Sequence, residues 1–596
     1  MKELEYPFDS EMILRQRKSL RKQMLNDESN HFIEKRIAVL GGQTTRDVKQ
    51  ILELFLLNYG IKPSFYESEY NKFYEDAMFD NEELKEFCPD LIYICTCIRN
   101  VTSFPVLSDD KRVVDEKRKM VIDMFYGLWN HITKTYNCPI IQNNFEYPFY
   151  RLMGNKDASD YHGKVNFITT LNCSFYDYAQ THDNFYICDI NYLSSSYGLD
   201  KWSDPYYWYM YKYGIAVPAI PTLAYNVANI IKSIYGKNKK VLNLDLDNTL
   251  WGGIVGDDGA ENIEIGQETA LSQSYSEFQD YLKQHKQLGV LLTINSKNDE
   301  KNAIAGLERP DSILHKDDFV NIKANWKPKS INLVDSANEM SLLPESFVFV
   351  DDNPAERAII EDQVPGAAIP ELKEVEHYIQ QLDKAGYFEV TSISKDDLNR
   401  TEMYQENAKR AELQASFDNY EDYLKSLEMK SEIKEFIPLY FSRITQLTNK
   451  SNQFNLTTKR YNQTEIEEVA NNENYITLYG KLVDKFGDNG VVSIVIGKIN
   501  DDNKELHIDL WLMSCRVLKR NMEYAMMDEL VSKAKKHNIN KLIGYYYPTA
   551  KNSMVKDFYG LMGFAKISED NIGNSIWEYE IDSQYKNKQD VIEIVN

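Results

Sequence analysis

The stretch VLNLDLDNTLWGGIVGDDG, Val241 to Gly259, decides how this chain is to be read. A mostly apolar run leads into two aspartates, Asp245 and Asp247, then into Asn248, Thr249 and a glycine-rich acidic loop. A short apolar run bounded by turn residues predicts a buried strand. A side-chain period of two places both carboxylates on one side of it. In a parallel α/β sheet, ligands gather at the carboxyl ends of the strands. Two carboxylates this close repel each other, so a positive group belongs beside them. Mg2+ is the natural candidate, because it prefers hard oxygen ligands.

Later segments supply the rest of a site. LLTINSKN ends a strand pattern with Ser296, SFVFVDDN ends another with Asp351 and Asp352, and NWKPKS offers Lys327 and Lys329. Together they make a phosphoryl-transfer site. One carboxylate attacks phosphorus, a second handles the leaving-group proton, and metal and lysine neutralise the transferring group. A hydroxyl and backbone amides hold the phosphate.

The chain around this site has 596 residues, enough for about three or four domains. A formal charge of −23 argues against nucleic acid or an anionic membrane as a partner, yet leaves anionic substrates open. No apolar run approaches the ~18 residues of a membrane span. The charged N-terminus, MKELEYPFDSEMILRQRKSLRKQ, lacks a signal core, so a cytoplasmic location is expected. Seven cysteines, an odd number in a long chain, do not form a disulfide framework. Cys95 and Cys97 lie in the apolar run LIYICTC and are read as strand core rather than as metal ligands.

The expected fold class is α/β in three domains. Strand and helix patterns alternate from RIAVLGG through PSFYES, DLIYICTC and CPIIQNN, predicting a parallel first domain over 1–236. A second α/β domain spans 237–393 with strands VLNLDLD, GVLLTINS, DFVNIKA and SFVFVDD. A charged helical connector, 394–430, leads to an α+β domain over 431–583, where YITLYGKLVDKFG, GVVSIVIGKIN and ELHIDLWLMSC alternate as antiparallel strands. Residues 584–596 are expected to be a loose tail.

The order of these parts resembles the haloacid dehalogenase (HAD) superfamily, with DLDNT matching its DxDxT motif. The resemblance implies that Asp245 is a nucleophile forming an aspartyl-phosphate. It implies that Asp247 is the general acid/base, with its backbone carbonyl on Mg2+, and that Ser296 holds phosphate. Lys327, ahead of Pro328, matches the charge-clamping lysine best, with Lys329 its near rival. Asp351, supported by Asp352, matches the metal-binding pair that works with Asp245 and Asp247. LDLDNTLWGGIVGDDG, NWKPKS and FVFVDDNPAER together resemble the FkbH-like group, HAD subfamily IIIC, and LTNKSNQFNLTTKRY, DKFGDNGVV and LMSCRVLKRNME extend the likeness into the C-terminal part. That group implies removal of phosphate from a 1,3-bisphosphoglycerate-like three-carbon acid and delivery of the glyceryl unit to an acyl carrier protein thiol. Between DxDxT and Ser296 there is no room for a large cap domain, and an open site suits a bulky partner. Cys515, followed by Arg516, is the candidate acyl acceptor, since nearby positive charge lowers a thiol pKa. The alternative for Cys515 is a buried strand-end cysteine. Two rival functions stand beside this one: a plain phosphatase on a small metabolite, and a non-catalytic assembly protein that recruits carrier proteins.

The C-terminal part resembles a GNAT acyltransferase, and the first domain more weakly resembles an SGNH hydrolase. GNAT enzymes cradle the coenzyme A pyrophosphate on a glycine-rich helix start. Here RVLKRN puts Lys519 and Asn521 in place of both glycines, so acetyl-CoA is not expected. Arg516, Lys519 and Arg520 are expected instead to meet a phosphopantetheine arm or an acidic carrier. Tyr559 stands where some GNAT folds keep a general acid, although a packing role is preferred. In the first domain LGGQTT carries Gln43 where the SGNH serine belongs; Asn143 and Asn144 could stand for its asparagine, and Asp204 has no histidine after it. A scaffold or carrier-docking role follows, with DPYYWYMYKYG as core or interface.

Overall fold

The structure, a computed structural model, describes residues 1–27, 30, 32–79, 81–500, 502, 504–549 and 551–595, without the side chains of 395, 396, 412 and 415. The chain divides into two units, Met1–Ile234 and Tyr235–Asn596.

In the first unit β1 (Ile33–Gly41), β2 (Ile61–Glu67), β3 (Leu91–Cys95), β4 (Ile140–Asn143) and β5 (Phe185–Cys188) form one parallel sheet in the order β2-β1-β3-β4-β5. This is the flavodoxin-like doubly wound order. The helix Arg46–Asn58 buries Val48, Ile51, Leu52, Phe55 and Leu56, the spacing its sequence shows. β5 went unanticipated because its four residues sit between polar flanks. Cys95 closes β3 and Cys97 follows two residues later at the start of a short 3-10 helix; both are buried and free.

Polar side chains at the strand ends are tied to one another. The Gln43 carboxamide accepts from the Gly214 N–H at 2.6 Å and donates to the Cys95 sulfur at 3.4 Å. Asn143 donates to the Thr96 carbonyl and Asn144 to Asp189. Asp204 accepts from the Tyr206 N–H as a helix N-cap. The tyrosines after it are surface residues, Tyr209 being 68% exposed, so this stretch is not core.

Glu146, 3% exposed, accepts from the Ile98 N–H at 3.1 Å. Burial pushes its carboxyl up to about 7. The folded form therefore keeps a proton that the unfolded chain releases near the ordinary carboxylate pKa. Stability contributed here falls as pH rises from about 4.5 to about 7 and is level above. Glu146→Gln keeps the acceptor without the charge. We expect it to gain about 1–3 kcal/mol over the native chain at pH 8 and little at pH 4, read from thermal or denaturant unfolding at both pH values.

The second unit holds two sheets. β6 (Val241–Leu244), β7 (Leu291–Ser296), β8 (Asn321–Ala324) and β9 (Phe347–Val350) are all parallel in the order β8-β7-β6-β9. The second sheet has eight strands: β10 (Met429–Lys434), β11 (Tyr475–Asp484), β12 (Gly487–Asn500), β13 (Glu505–Met513), β14 (Lys541–Tyr546), β15 (Ala565–Glu569), β16 (Ser575–Glu580) and β17 (Ile592–Ile594). Their order is β15-β16-β14-β13-β12-β11-β10-β17. β17 corrects the expectation of a loose tail. It pairs in parallel with β10, Val591 and Ile592 are buried, and Asp528 accepts from the Tyr585 hydroxyl at 2.7 Å. Its brevity and charged flanks hide it in the sequence.

The connector packs through the helix Arg400–Ala415, whose Arg410 grips the buried Asp484 at 2.7 and 2.8 Å. β13 and β14 pair only from Glu505 to Ile508 and then part. The segment Phe454–Leu456 fills the gap: the Leu456 N–H donates to the Trp511 carbonyl, Met513 N–H to Phe454, and Tyr547 N–H to Leu456. The opened strand edges are thus paired by the chain itself. Among the described residues no helix is long and apolar enough to cross a membrane.

Candidate active site

β6, β7 and β9 run side by side and end together. The residues just past them therefore share one edge, with Asp245 after β6, Ser296 closing β7 and Asp351 after β9. The Asp245 N–H donates to the Val350 carbonyl at 2.9 Å, which fixes the first carboxylate beside the acidic pair. Carboxylate oxygens of Asp245, Asp351 and Asp352 all lie within 4.8 Å of one another.

The lysine among them is Lys329. Its ammonium lies 2.9 Å from Asp245 and 2.6 Å from Asp351, and its side chain is 4% exposed. This corrects the preference for Lys327, which is exposed while its backbone N–H caps onto Asn325. Pro328 is the reason. It ends the loop, and the helix Lys329–Glu339 starts one residue later, so the first helical side chain enters the sheet edge. The Lys329 carbonyl accepts from Asn295, which also donates to Asn243 at 3.0 Å, and Asn243 donates to Thr293. These buried amides lock β6, β7 and the lysine together. Sequence reading passed over them because asparagines inside apolar runs carry no motif.

Three carboxylates against one ammonium leave the cluster two negative charges in excess. Burial and the Asp245 charge push the Asp351 carboxyl up to about 6 against the pull of Lys329. Burial, then Asp245, also raises Asp352. Burial alone would lower the Lys329 ammonium, but Asp245 and Asp351 outweigh it and hold it above its ordinary value. A cluster of hard oxygens with this excess charge and rising pKa values fits a divalent cation, with Asp245, Asp351 and Asp352 as the side chains to hold it.

The Asp247 carboxylate stands apart from that cluster, which leaves its backbone carbonyl as the group the resemblance puts on the metal. One oxygen accepts from the Trp251 indole at 2.9 Å and the Val255 N–H at 3.0 Å, and the other from Asn298 at 2.7 Å. These bonds turn it away from the metal ligands. Burial still raises its pKa, and its second oxygen keeps a lone pair for a proton. Thr249, fully buried, donates to Asp352 at 3.4 Å and accepts from the Asp352 N–H at 3.2 Å. The Arg357 guanidinium binds the carbonyls of Asp351 and Asp352. Ser296 is 1% exposed at the same edge. Trp251, Asn298 and Arg357 escaped sequence reading; only their nearness to the motifs marked them. From Thr249 to the helix Ala270–Gln287 the chain forms a loop with one short helix, Val255–Asp258, so no large cap is inserted in this stretch.

The remaining expected residues lie elsewhere. Cys515 is in the wall of a cavity with Lys240, Leu291 and Ser346, which precede or begin β6, β7 and β9. It thus sits at the amino ends of the strands whose carboxyl ends carry Asp245. Five residues of extended chain separate Lys240 from Asp245, roughly 16 Å. Cys515 and Asp245 cannot act on one small substrate in this arrangement. Arg520 is not free for a carrier: it is buried, with its guanidinium on Asp484, Asn407 and the Arg516 carbonyl. Lys519 is exposed, and Arg516 lines the cavity with Cys515. Tyr559 is fully buried among Phe558, Phe564 and Trp577, and burial pushes its hydroxyl well up, so it packs rather than donates protons.

A parallel sheet with three carboxylates and a buried lysine at its carboxyl edge makes this an α/β protein with a cluster that could hold a divalent cation. Residues 36–232 match the family described as the FkbH N-terminal domain. No curated protein matches the chain. Among solved structures, the N-terminal part of the protein BF1531 from Bacteroides fragilis, described as containing a phosphatase domain and complexed with Mg, is 28% identical with a TM-score of 0.58, covering 63% of this chain and 99% of that one. The ribosomal-protein-S18-alanine N-acetyltransferase from Escherichia coli overlaps 27% of this chain and 99% of its own, at 12% identity and a TM-score of 0.21. The PaiA N-acetyltransferase from Thermoplasma acidophilum, in complex with coenzyme A, overlaps 25% and 99% at 16% identity and a TM-score of 0.20.

Proposed function

We propose that the protein is a Mg2+-dependent phosphohydrolase of HAD type that uses Asp245 as nucleophile on a small phosphorylated metabolite. The observation that carries this reading is the junction of Asp245, Asp351 and Asp352 around the Lys329 ammonium at one strand edge. The likeness to the Mg-bound phosphatase-containing part of BF1531 supports it.

The Asp245 carboxylate attacks phosphorus and the ester bond to the leaving oxygen breaks. Asp247, raised by burial and held by Trp251, Val255 and Asn298, gives that oxygen its proton. It then takes a proton from the water that hydrolyses the aspartyl-phosphate, restoring Asp245 and releasing phosphate. Lys329 offsets charge on the transferring oxygens, and Ser296 with backbone amides holds them. A divalent cation on Asp245, Asp351, Asp352 and the Asp247 carbonyl would supply Lewis-acid charge stabilisation.

The finer reading is a phosphorylated three-carbon acid, 1,3-bisphosphoglycerate-like, whose glyceryl unit goes to an acyl carrier protein thiol. The capless loop after Thr249 supports access by such a carrier. The distance between Cys515 and Asp245 favours a second reading, plain phosphatase action at this site. Phosphate release from the bisphosphorylated acid, with and without a phosphopantetheinylated carrier protein, separates the two. A glyceryl adduct on the carrier supports transfer; release independent of carrier, with no adduct, leaves the phosphatase. For the phosphatase step, Cys515→Ala is expected to keep phosphate release within about twofold of the native rate, because distant sites act independently. A loss of tenfold or more would tie Cys515 to the Asp245 site and contradict the separation.

A further inference from the structure

Inside the second unit, a cavity of about 120 Å3 opens at the amino ends of β6, β7 and β9. In this measure a single water needs about 10–15 Å3, so there is room for a small organic molecule. Its lining carries Lys240, Arg400, Arg443, Lys450, Arg516 and Lys551, and a single carboxylate, Glu345. Glu345 pairs with Lys551 at 2.5 Å. Asp397, outside the lining, takes Arg400 and, at 3.4 Å, Lys450. Lys240 is half-buried, with Arg400 and Lys551 opposing its charge and Glu345 favouring it.

Cations gathered in a confined space are costly unless an anion answers them. Burial draws the Lys240 ammonium down and Lys450 down to about 8. Leu342, Leu447 and Phe454 give the cavity an apolar side. Several cations, three of them guanidinium forks, suit a phosphate dianion better than a lone carboxylate. Phe454 and Met513, beside the filled gap between β13 and β14, also line this cavity.

We infer that the cavity is a second binding site, for a small phosphomonoester held by Lys240, Arg400, Lys450 and Lys551, separate from the Asp245 edge. It does not depend on chemistry at Asp245. Cys515 in the wall makes it measurable.

The test uses the full chain carrying Asp245→Asn, alkylated with iodoacetamide and followed peptide by peptide by mass spectrometry. The exposed Cys88 and Cys173 are internal references. Millimolar glycerol 3-phosphate is expected to slow Cys515 alkylation at least about fivefold by mass action and leave Cys88 and Cys173 unchanged; glycerol is expected to have no effect. Lys240→Met and Lys450→Met should each raise the concentration needed by about tenfold, as loss of a charged contact does. Inorganic phosphate in place of the ester tells whether the phosphate alone is enough. Equal slowing at all three cysteines, no slowing at Cys515, or protection that survives both lysine variants would overturn the inference. Calorimetric titration of glycerol 3-phosphate decides it independently of thiol reactivity: heat lost in Lys240→Met supports the site, and heat unchanged in both lysine variants overturns it.

Discussion

Replacing Asp245 with asparagine is expected to lower phosphate release at least about 1,000-fold, because asparagine cannot form the aspartyl-phosphate. The substitution also removes one negative charge from a buried cluster that holds three carboxylates against one ammonium. Like charges at this distance oppose folding when no cation is bound. The variant should therefore be as stable as the native chain in EDTA, or more so, while being inactive with Mg2+. Those two readouts together separate a chemical role from a structural one. A variant within tenfold of native activity would show that Asp245 is not the nucleophile. A variant that is both inactive and strongly destabilised would point to a purely structural carboxylate.

The second large effect belongs to Lys329. Lys329→Met keeps length and flexibility but leaves Asp245, Asp351 and Asp352 without their buried counter-charge. Removing one partner of a buried ionic group costs about 3–5 kcal/mol, so the metal-free variant should melt far below the native chain. Mg2+ is expected to recover much of that loss by occupying the carboxylates. It should not recover the rate, which is expected to stay at least about 100-fold down because the ammonium no longer offsets charge on the transferring phosphate. Lys327→Met is the control: its side chain is exposed, and neither melting nor rate should change measurably. Reversal of the two outcomes would restore Lys327 as the working lysine.

The pair of lysines shows where sequence reading reached its limit. DLDNT, SFVFVDD and LLTINS end strands visibly, because apolar runs stop abruptly at polar residues, and so the acidic edge could be foreseen. Choosing between Lys327 and Lys329 depends on where the helix begins, and that turns on Pro328 and on the buried Asn295 that holds the Lys329 carbonyl. Asp247 shows the same limit. Period-two spacing places it beside Asp245, but the Trp251, Val255 and Asn298 donors turn its carboxylate aside. β5 and β17 were hidden by their brevity and β10 by its charged, alternating sequence, since their partners are distant in the chain, whereas β15 pairs with the adjacent β16 but is exposed at every position and so carries no apolar signal. The position of Cys515 at the far end of β6 is a purely tertiary fact. A cysteine followed by arginine looks equally reactive at either end of a strand.

The most direct measurement is acid-quenched trapping of the phosphorylated enzyme. The native chain, with Mg2+ and a small acyl phosphate or phosphomonoester, would be quenched, digested and mapped by mass spectrometry beside Asp245→Asn. Phosphate on the peptide that carries Asp245, absent in the variant and lost on standing at neutral pH, is the predicted result. Phosphate release with no adduct on that peptide, or an adduct that persists in Asp245→Asn, would contradict it.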